Sequence, residues 1–202
     1  MKKKIGIYGG TFSPPHIGHV SAAESFSRSI ALDELLIMPD FLPPHKQIDG
    51  LVSEYDRLEM CKRAFSHIDK AKVSDFEIKK GGRSYTAVTL EEFASDEREL
   101  YFLCGTDMFL TLDTWYRPET IFNLATICYI RRECDLKNDV LLEEKSREYI
   151  QRFSAKIIPI PASVVEVSSS ELRQALRTDP ALVKNLLSEE VYDYIVEKRL
   201  YL

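Results

Sequence analysis

Short apolar runs alternate along the chain with longer segments in which apolar and polar residues are mixed. Five of these runs are rich in β-branched and aromatic residues, which predicts buried strands at residues 5–8, 35–38, 100–104, 126–130 and 156–160. In the segments between and after them, apolar residues recur at roughly helical spacing, which predicts helices at residues 20–30, 54–65, 86–93, 143–153 and 189–198. Strands that alternate with helices favour an α/β fold, a doubly wound, Rossmann-like and mainly parallel sheet with helices on both faces.

The polarity of individual segments refines this picture. The most continuous apolar run, at residues 100–104, predicts a central strand, because strands of this kind are buried on both faces. Alternating polarity at residues 73–78, followed by Gly81 and Gly82, predicts an edge strand and a turn. In the helix at residues 54–65, Tyr55 and Phe65 are expected to face the core. With 202 residues and no change in composition that would mark a linker, residues 1–202 are predicted to form a single domain.

Charge and composition narrow the classes of partner. The chain has 27 Lys and Arg against 32 Asp and Glu, a formal net charge of −5 and no long basic run, so nucleic acid is not expected as a partner. No stretch approaches membrane-spanning length, and the apolar run after Lys4 is too short for a signal peptide. Cys104 and Cys128 lie in apolar runs and no CxxC pair occurs, which favours reduced thiols in a cytoplasmic protein.

The sequence GGTFSPPHIGH at residues 9–19 joins the first predicted strand to the first predicted helix. Gly9 and Gly10 allow a sharp turn and let a phosphate approach the backbone, and Thr11 adds a hydroxyl. Two prolines then stiffen the loop. His16 and His19 would lie on one face of the helix start, where free N–H groups and the helix dipole favour an anion. This stretch therefore predicts a polyphosphate site.

Later strand ends and helix starts carry further polar or aromatic residues, each with an ordinary structural explanation that stays open. The PPHK sequence at residues 43–46 follows a strand end and could bind a ligand or form a plain rigid loop. Ser84 or Thr86 could cap a helix or bind a ligand, and Asp107 could cap a helix or accept hydrogen bonds from a ribose. Trp115, the only tryptophan, could belong to the core or stack on a flat ring.

A run of three serines precedes the helical segment that continues through Leu176. Ser168 with Glu171 forms a capping box, which explains the serines without any function. It also places hydroxyls and N–H groups at a second helix N-terminus, with Arg173 about one turn along. Only a parallel sheet that brings the first and last strands close to one site would join this segment to residues 9–19.

These segments resemble, in the same order, the motifs of one enzyme family. GGTFSPPHIGH resembles the GGTFDPPHxGH motif of bacterial nicotinate-nucleotide adenylyltransferases, which belong to the nucleotidyltransferase superfamily with the HxGH motif. Ser13 departs from the aspartate of that motif. PPHK at residues 43–46, RSYT at 83–86, GTD at 105–107, the Trp115 loop and the SSSELR sequence at 168–173 also resemble this family, with Ser170 in place of its usual threonine.

The resemblance implies adenylyl transfer from ATP to nicotinate mononucleotide, which gives nicotinate adenine dinucleotide and pyrophosphate in NAD biosynthesis. It implies Mg²⁺ held mainly by the phosphates, with no metal ligand from the protein. The catalytic residues that it implies are His16, His19, Lys46 and Arg173. The implied ATP-binding residues are Gly9, Gly10, Thr11, Phe12, His16, His19, Ser168, Ser169, Ser170 and Arg173. The implied mononucleotide-binding residues are Lys46, Ser84, Tyr85, Thr86, Gly105, Asp107, Trp115 and Tyr116, with Trp115 stacked on the nicotinate ring.

Three alternatives stay open. Another adenylyl- or cytidylyltransferase, such as one acting on phosphopantetheine, would not explain RSYT or the Trp115 loop. A fragment of a class I aminoacyl-tRNA synthetase would share the HIGH-like sequence, yet the chain has no KMSKS-like segment and no basic tRNA-binding run. A nucleotide-binding regulatory module without catalysis is disfavoured by His16, His19, Lys46 and Arg173. The sequence does not fix the oligomeric state, and a homo-oligomer is compatible with it.

Overall fold

Parallel strands form a sheet whose middle is occupied by the first strand of the chain. The computed structural model describes residues 1–43, 50–132, 136–162 and 167–201. In these residues the strands are β1 (Lys3–Gly10), β2 (Glu34–Pro39), β3 (Ala71–Val73), β4 (Arg98–Cys104), β5 (Ala125–Arg132) and β6 (Ile157–Ala162). They lie in the order β3-β2-β1-β4-β5-β6, and every neighbouring pair is parallel. The five strands predicted from apolar runs are confirmed, and the predicted central strand, β4, lies beside β1.

Helices connect the strands. They are α1 (Ile17–Ile30), α2 (Glu54–Ala64), α3 (Phe76–Lys80), α4 (Thr86–Phe93), α5 (Thr106–Leu110), α6 (Pro118–Leu124), α7 (Leu136–Phe153), α8 (Ser169–Thr178) and α9 (Glu189–Lys198). Short 3₁₀ turns occur at Leu112–Thr114 and Pro180–Leu186. Within the described ranges, no helix has both the length and the apolar character needed to cross a membrane.

Successive residues of each strand point to opposite faces of the sheet, and each face has its own hydrophobic cluster. In β2, Leu35 and Ile37 belong to one cluster, while Leu36 and Met38 belong to the other. Buried residues of α1, α2, α8 and α9 complete the first cluster, and those of α4, α5, α6 and α7 complete the second. The doubly wound α/β fold predicted from the sequence is therefore confirmed.

The connections that leave β1 and β4 pass to opposite faces of the sheet, although these two strands are neighbours. β1 continues into α1 on one face, and β4 continues into α5 on the other. In open parallel sheets such a divergence creates a crevice at the carboxyl ends of the strands, which is where ligands bind. Two of the segments predicted to carry the chemistry, GGTFSPPHIGH and GTD, lie where these two strands end.

The prediction of an edge strand at residues 73–78 is wrong for most of that segment. The edge strand β3 ends at Val73, and Phe76–Lys80 forms helix α3. This helix packs Phe76 against Phe93 of α4, with the ring centroids 5.6 Å apart, and buries Ile78. Because periodicity cannot assign a short apolar run to strand or helix, the tertiary contact decides the outcome here.

Candidate active site

The N-terminus of α1 places two histidine rings side by side. His16 is the N-cap of α1 and His19 lies in its first turn. The rings are stacked with their centroids 3.7 Å apart, and the backbone N–H of His16 donates to Nδ1 of His19 across 3.2 Å. A neutral imidazole that accepts at Nδ1 carries its proton on Nε2, so His19 offers an N–H donor at its far nitrogen. The two rings share one side of the helix start, as their spacing predicted.

The surroundings of this pair favour neutral imidazoles. His16 is only 6% exposed, and burial lowers its pKa to about 4. Burial, together with the neighbouring His16, lowers the pKa of His19 well below the ordinary value of 6.5. Among the described residues, Nδ1 of His16 is buried without a hydrogen-bond partner. At neutral pH the pair therefore supplies hydrogen-bond donors rather than positive charges.

The loop of residues 11–14, between β1 and α1, turns at Phe12 rather than at the glycines. Gly9 and Gly10 are the last residues of β1, and neither has a positive φ, so the predicted glycine turn is wrong. Phe12 has a φ of 48° and packs its ring edge-on against His19, with the centroids 5.0 Å apart. A Cβ on Gly10 would lie 3.0 Å from the ring of Phe12, so this glycine leaves room for the phenylalanine. A left-handed backbone at a non-glycine residue costs about 1–3 kcal/mol and persists only where its surroundings enforce it.

A buried arginine that the sequence did not reveal joins the loops after β1 and β2. Arg57 of α2 is 1% exposed, and its Nη1 donates to the carbonyl oxygen of Thr11 at 2.9 Å and to Oδ1 of Asp40 at 3.0 Å. Its Nη2 donates to the carbonyl oxygens of Asp40 at 2.7 Å and Phe41 at 3.1 Å. The hydroxyl of Thr11 donates to Oδ2 of Asp40 across 2.7 Å. Thr11, predicted to bind phosphate, is thus held in place through Asp40 and Arg57.

The burial of Arg57 corrects the prediction for α2. Tyr55, expected in the core, is 68% exposed, and Arg57 takes the inward position together with Cys61 and Ala64. Helical spacing was the available signal, since positions 57, 61 and 64 lie on one face. A lone arginine is ordinarily assigned to the surface, because charged side chains are rarely buried without a partner. Its partner comes from a different loop, which spacing along one helix cannot show.

Helix α8 reaches the 11–14 loop from the far end of the sequence. The hydroxyl of Ser168 caps this helix by accepting from the backbone N–H groups of Ser170 and Glu171, which is the serine half of the predicted capping box. The hydroxyl of Ser169 donates to the carbonyl oxygen of Pro14 at 3.1 Å, and Nη1 of Arg173 donates to that of Ser13 at 2.8 Å. The parallel sheet therefore does bring this segment to residues 9–19, although β6 itself is at the edge of the sheet.

The segments predicted to recognise the pyridine ring also meet. The rings of Tyr85 and Tyr116 lie with their centroids 4.5 Å apart. Trp115 is half-buried and packs edge-on against Phe102 of β4, with the centroids 6.3 Å apart. Arg117, which follows Tyr116, makes a two-pronged hydrogen bond with a carboxylate of α4. Tyr85 and Tyr116 therefore form a ring pair, while Trp115, the next residue along the chain, packs on the sheet; these three residues are called the aromatic wall below.

The capping explanation for Ser84 and Thr86 does not hold. The N-cap of α4 is Tyr85, which makes no side-chain capping bond, and Thr86 is already the first helical residue. The hydroxyl of Ser84 instead accepts a hydrogen bond from the backbone N–H of Phe41 at 3.0 Å. No described side chain caps α4, so its first-turn N–H groups keep their capacity to donate to an anion.

The remaining predicted residues differ in how well they can be placed. Gly105 is the N-cap of α5 at the carboxyl end of β4, and Asp107 is exposed in the first turn of that helix without capping it. A Cβ on Gly105 would meet only open space. Lys46 lies outside the described residues, so its contact with the phosphates stays a prediction. The structure thus gathers around the 11–14 loop the predicted residues of α1 and α8, which are His16, His19, Ser168, Ser169, Ser170 and Arg173.

Comparisons with known proteins decide which family this site belongs to. The cytidylyltransferase-like family matches residues 7–175. The chain is 34% identical over 198 residues to the probable nicotinate-nucleotide adenylyltransferase of Caldicellulosiruptor saccharolyticus, and the match covers 98% of each chain. It is also 34% identical over 204 residues to the protein of the same name from Clostridium acetobutylicum, with 100% of each chain covered. The chain belongs to the nicotinate-nucleotide adenylyltransferase family.

Solved structures support the same fold for this family member. Nicotinic acid mononucleotide adenylyltransferase of Plasmodium falciparum, complexed with NaAD, superposes with a TM-score of 0.78 at 21% identity, over 98% of this chain and 97% of that one. The same enzyme complexed with APC gives a TM-score of 0.76 at 20% identity, over 98% and 97% of the two chains. The sheet and its surrounding helices therefore have the same fold as these solved structures.

The donor set of this adenylyltransferase site suits a cation carried by phosphates. Within the described residues, no group of three or more His, Cys, Asp or Glu side chains could hold a metal ion. The carboxylate of Asp40 is already bonded to Arg57 and Thr11, while the nearby neutral imidazoles and hydroxyls suit phosphate oxygens. Such a site fits Mg²⁺ coordinated mainly by phosphate oxygens and water.

Proposed function

We propose that this protein transfers the adenylyl group of ATP to nicotinate mononucleotide, giving nicotinate adenine dinucleotide and pyrophosphate in NAD biosynthesis. The observation that carries the proposal is the 11–14 loop, which packs on the histidine pair of α1 and accepts hydrogen bonds from α8. Two helix N-termini thus flank one loop at the crevice, an arrangement suited to a polyphosphate. The family of the chain supplies the identity of the second substrate.

The reaction needs positioning more than acid or base chemistry. The 5′-phosphate of the mononucleotide attacks the α-phosphorus of ATP in line; a new P–O bond forms as the bond to the β-phosphate oxygen breaks, and pyrophosphate leaves. The attacking phosphate is already ionised, so no group has to remove a proton from it. The task of the protein is to hold two anions together and to stabilise charge on the α-phosphoryl and leaving oxygens.

The residues of α1 and α8 are suited to these roles. Nε2–H of His19 can donate to a phosphoryl oxygen, because its Nδ1 is occupied by the backbone of His16. A neutral donor placed before the reaction stabilises charge as it develops without a change in protonation. Arg173, which is anchored on the carbonyl oxygen of Ser13, adds a permanent positive charge near the loop. Lys46 is proposed as a second, mobile cation.

Recognition of the mononucleotide is proposed for the aromatic wall and the start of α4. Trp115 and Tyr116 offer flat faces for a pyridine ring. The start of α4, which no described side chain caps, offers N–H groups to the carboxylate of nicotinate. Gly105 and Asp107 lie at the end of β4 next to β1, where an exposed carboxylate can accept hydrogen bonds from ribose hydroxyls.

The remaining expectations are part of the same proposal. Mg²⁺ is proposed to be held by the phosphates and water and to supply charge neutralisation to the leaving pyrophosphate. A cytoplasmic site of action is supported by the buried free thiols of Cys61, Cys104 and Cys128. The single six-stranded sheet formed by the described residues supports one catalytic domain over residues 1–202.

Pyrophosphate release with a panel of acceptors tests the proposal. The protein is incubated with ATP and Mg²⁺ and with nicotinate mononucleotide, nicotinamide mononucleotide or phosphopantetheine. The expected result is the highest kcat/KM with nicotinate mononucleotide. Release only with phosphopantetheine would contradict the proposed substrate, and no release with any acceptor would instead favour a nucleotide-binding module without catalysis.

A further inference from the structure

The 11–14 loop is held in an unfavourable backbone conformation by contacts from several distant elements. Phe12 keeps a left-handed φ of 48° inside the loop. The carbonyl oxygens on either side of it accept hydrogen bonds from Arg57 of α2 and Arg173 of α8. A strained loop at a binding site keeps its shape only when such contacts over-determine it. Each contact is therefore a candidate for the residue that sets the geometry of the site.

One of these contacts joins the loop to the segment after α9. Ser13 is 1% exposed, and its hydroxyl lies 2.8 Å from the hydroxyl of Tyr201, with either group able to donate. Burial raises the pKa of Tyr201, so the phenol stays protonated and keeps its hydrogen. Removal of either partner would leave the other hydroxyl buried without this bond, which is costly in an apolar setting.

The backbone that delivers Tyr201 is as constrained as the loop that it contacts. Arg199, the C-cap of α9, has a φ of 52°, and Tyr201 itself has a φ of 65°. The backbone N–H groups of Arg199 and Leu200 bond back to Val196 and Ile195 of α9. Left-handed conformations at two non-glycine residues indicate that the packing of this segment fixes its path. Unfavourable backbone thus occurs on both sides of the hydrogen bond between Ser13 and Tyr201.

We propose that Tyr201 is a positioning residue of the active site, holding the side chain of Ser13 so that the 11–14 loop keeps the shape that binds the phosphates of ATP. Ser13 stands where the family motif has an aspartate, so this chain holds that position with a neutral pair of hydroxyls. The carbonyl oxygen of Ser13 also anchors Arg173. Release of the Ser13 side chain therefore loosens both the loop and the cation beside it. The identification of ATP as the ligand rests on the proposed function.

A second tyrosine of the same region provides a matched control. Tyr194 of α9 is 8% exposed, as is Tyr201, and its hydroxyl also makes one hydrogen bond to a side chain, donating to Oδ1 of Asp56 at 2.8 Å. Replacement of either tyrosine by phenylalanine removes one hydroxyl and leaves the ring in place. A role limited to general packing predicts the same result for both variants.

Steady-state kinetics of Tyr201→Phe, Ser13→Ala, the double variant and Tyr194→Phe test the proposal. Tyr201→Phe is expected to raise the KM for ATP about fivefold, the ratio that corresponds to one ordinary hydrogen bond. The KM for nicotinate mononucleotide is expected to stay within about twofold, because the aromatic wall is untouched. Ser13→Ala is expected to match Tyr201→Phe, and the double variant to be no worse than either, since all three lose the same bond. A KM for ATP in Tyr201→Phe and Ser13→Ala equal to that of Tyr194→Phe would overturn the proposal.

Two readouts without turnover separate this proposal from the proposed function. Amide hydrogen exchange of peptides covering residues 9–16 is expected to accelerate in Tyr201→Phe and Ser13→Ala but not in Tyr194→Phe. Titration of Mg-ATP binding is expected to weaken in the same two variants. If the wild-type protein releases no pyrophosphate, the proposed function fails, and these readouts still decide the role of Tyr201. Unchanged amide exchange and unchanged ATP affinity in Tyr201→Phe and Ser13→Ala would contradict the positioning role of Tyr201.

Discussion

Nδ1 of His19 accepts a hydrogen bond from the backbone N–H of His16 across 3.2 Å, and this contact determines which nitrogen of His19 carries the proton. Because His16 is also the N-cap of α1, the start of the helix and the tautomer of the second imidazole are set by the same residue. The HxGH spacing therefore does more than place two rings on one face. It orients the donor that the transition state needs.

Substitution of His19 by alanine is expected to lower kcat by about a hundredfold or more, as the loss of one positioned transition-state donor does. The KM values for both substrates should change much less, because the donor acts on charge that develops during the reaction. Pyrophosphate release under saturating substrates gives the measurement.

The control for this variant is His67→Ala. His67 is exposed and pairs with Glu24 at the surface, across 3.3 Å. The His67→Ala variant should keep kcat within about twofold of the wild-type value, since surface substitutions have small effects. Turnover of His19→Ala close to that of His67→Ala would remove the histidine from the mechanism.

The neutral histidines also make stability depend on pH. In the folded protein the pKa of His16 is about 4, below its ordinary 6.5, so the unfolded chain binds more protons as the pH falls. Stability is therefore full above the ordinary value of 6.5 and is lost as the pH falls toward about 4. For His16 the expected loss in the free energy of unfolding between about pH 7 and about pH 5 is about 2 kcal/mol. His19, whose pKa is lowered too, acts in the same direction.

Urea unfolding of the wild type and of His16→Gln at both pH values checks this expectation. The variant should lose less stability on acidification, because glutamine does not titrate. Glu77, whose pKa is raised by burial, acts in the opposite direction, and it does so equally in both proteins. The difference between the two proteins therefore reports His16 together with its effect on the pKa of His19, and an identical loss in both would contradict the assignment.

Arg57→Met is expected to destabilise the protein by about 3–5 kcal/mol, the cost of removing one member of a buried ion pair. The carboxylate of Asp40 would lose its ion pair, and three backbone carbonyl oxygens would lose their donor. The double variant Arg57→Met/Asp40→Asn should recover part of this loss, because it also removes the carboxylate charge with which Arg57 pairs. Equilibrium unfolding in urea measures all of these values.

Lys62→Met, on the same helix, is the control for Arg57→Met. Lys62 is exposed and its ion pair with Glu59, at 3.8 Å, is open to solvent. Its removal should cost no more than about 1 kcal/mol. Equal effects of the two substitutions would show that Arg57 does not hold the loops.

Trp115→Ala is expected to raise the KM for nicotinate mononucleotide at least about tenfold while leaving the KM for ATP nearly unchanged, since a lost aromatic stack is worth about 1–3 kcal/mol. Trp115→Phe keeps an aromatic face and most of the packing on Phe102. Its KM for nicotinate mononucleotide should therefore lie between those of Trp115→Ala and the wild type. If the KM for the mononucleotide does not move, Trp115 belongs to the core alone.

Much of the fold could be predicted because its signals are local. The apolar run that forms β4 and the helical spacing of α4 and α9 do not depend on distant contacts, and their positions were predicted correctly. The prediction for residues 73–78 was wrong because the packing of Phe76 on Phe93 selects a helix there, whereas the alternating polarity of the segment indicated a strand. The turn at Phe12 was also missed, since glycines are the usual sign of a turn and here they remain in the strand.

The residues of the candidate site likewise fall into those that the sequence could reveal and those that it could not. The histidine pair and the serine-rich start of α8 could be found from spacing and helix-cap patterns. Arg57 and Tyr201 could not, because each owes its role to a partner in another part of the chain. A buried arginine and a tyrosine after the last helix have no sequence signature of their own. Their function becomes visible only when the loops they hold are brought together by the sheet.

The central claim, transfer of an adenylyl group to nicotinate mononucleotide, is tested most directly by following the α-phosphate of ATP. The wild-type protein is incubated with Mg²⁺, nicotinate mononucleotide and ATP labelled at the α-phosphate. We expect the label to appear in the dinucleotide, mole for mole with the pyrophosphate released, and to stay in ATP when the mononucleotide is omitted. Label that remains in ATP with the mononucleotide present, or that is released as AMP, would contradict this account.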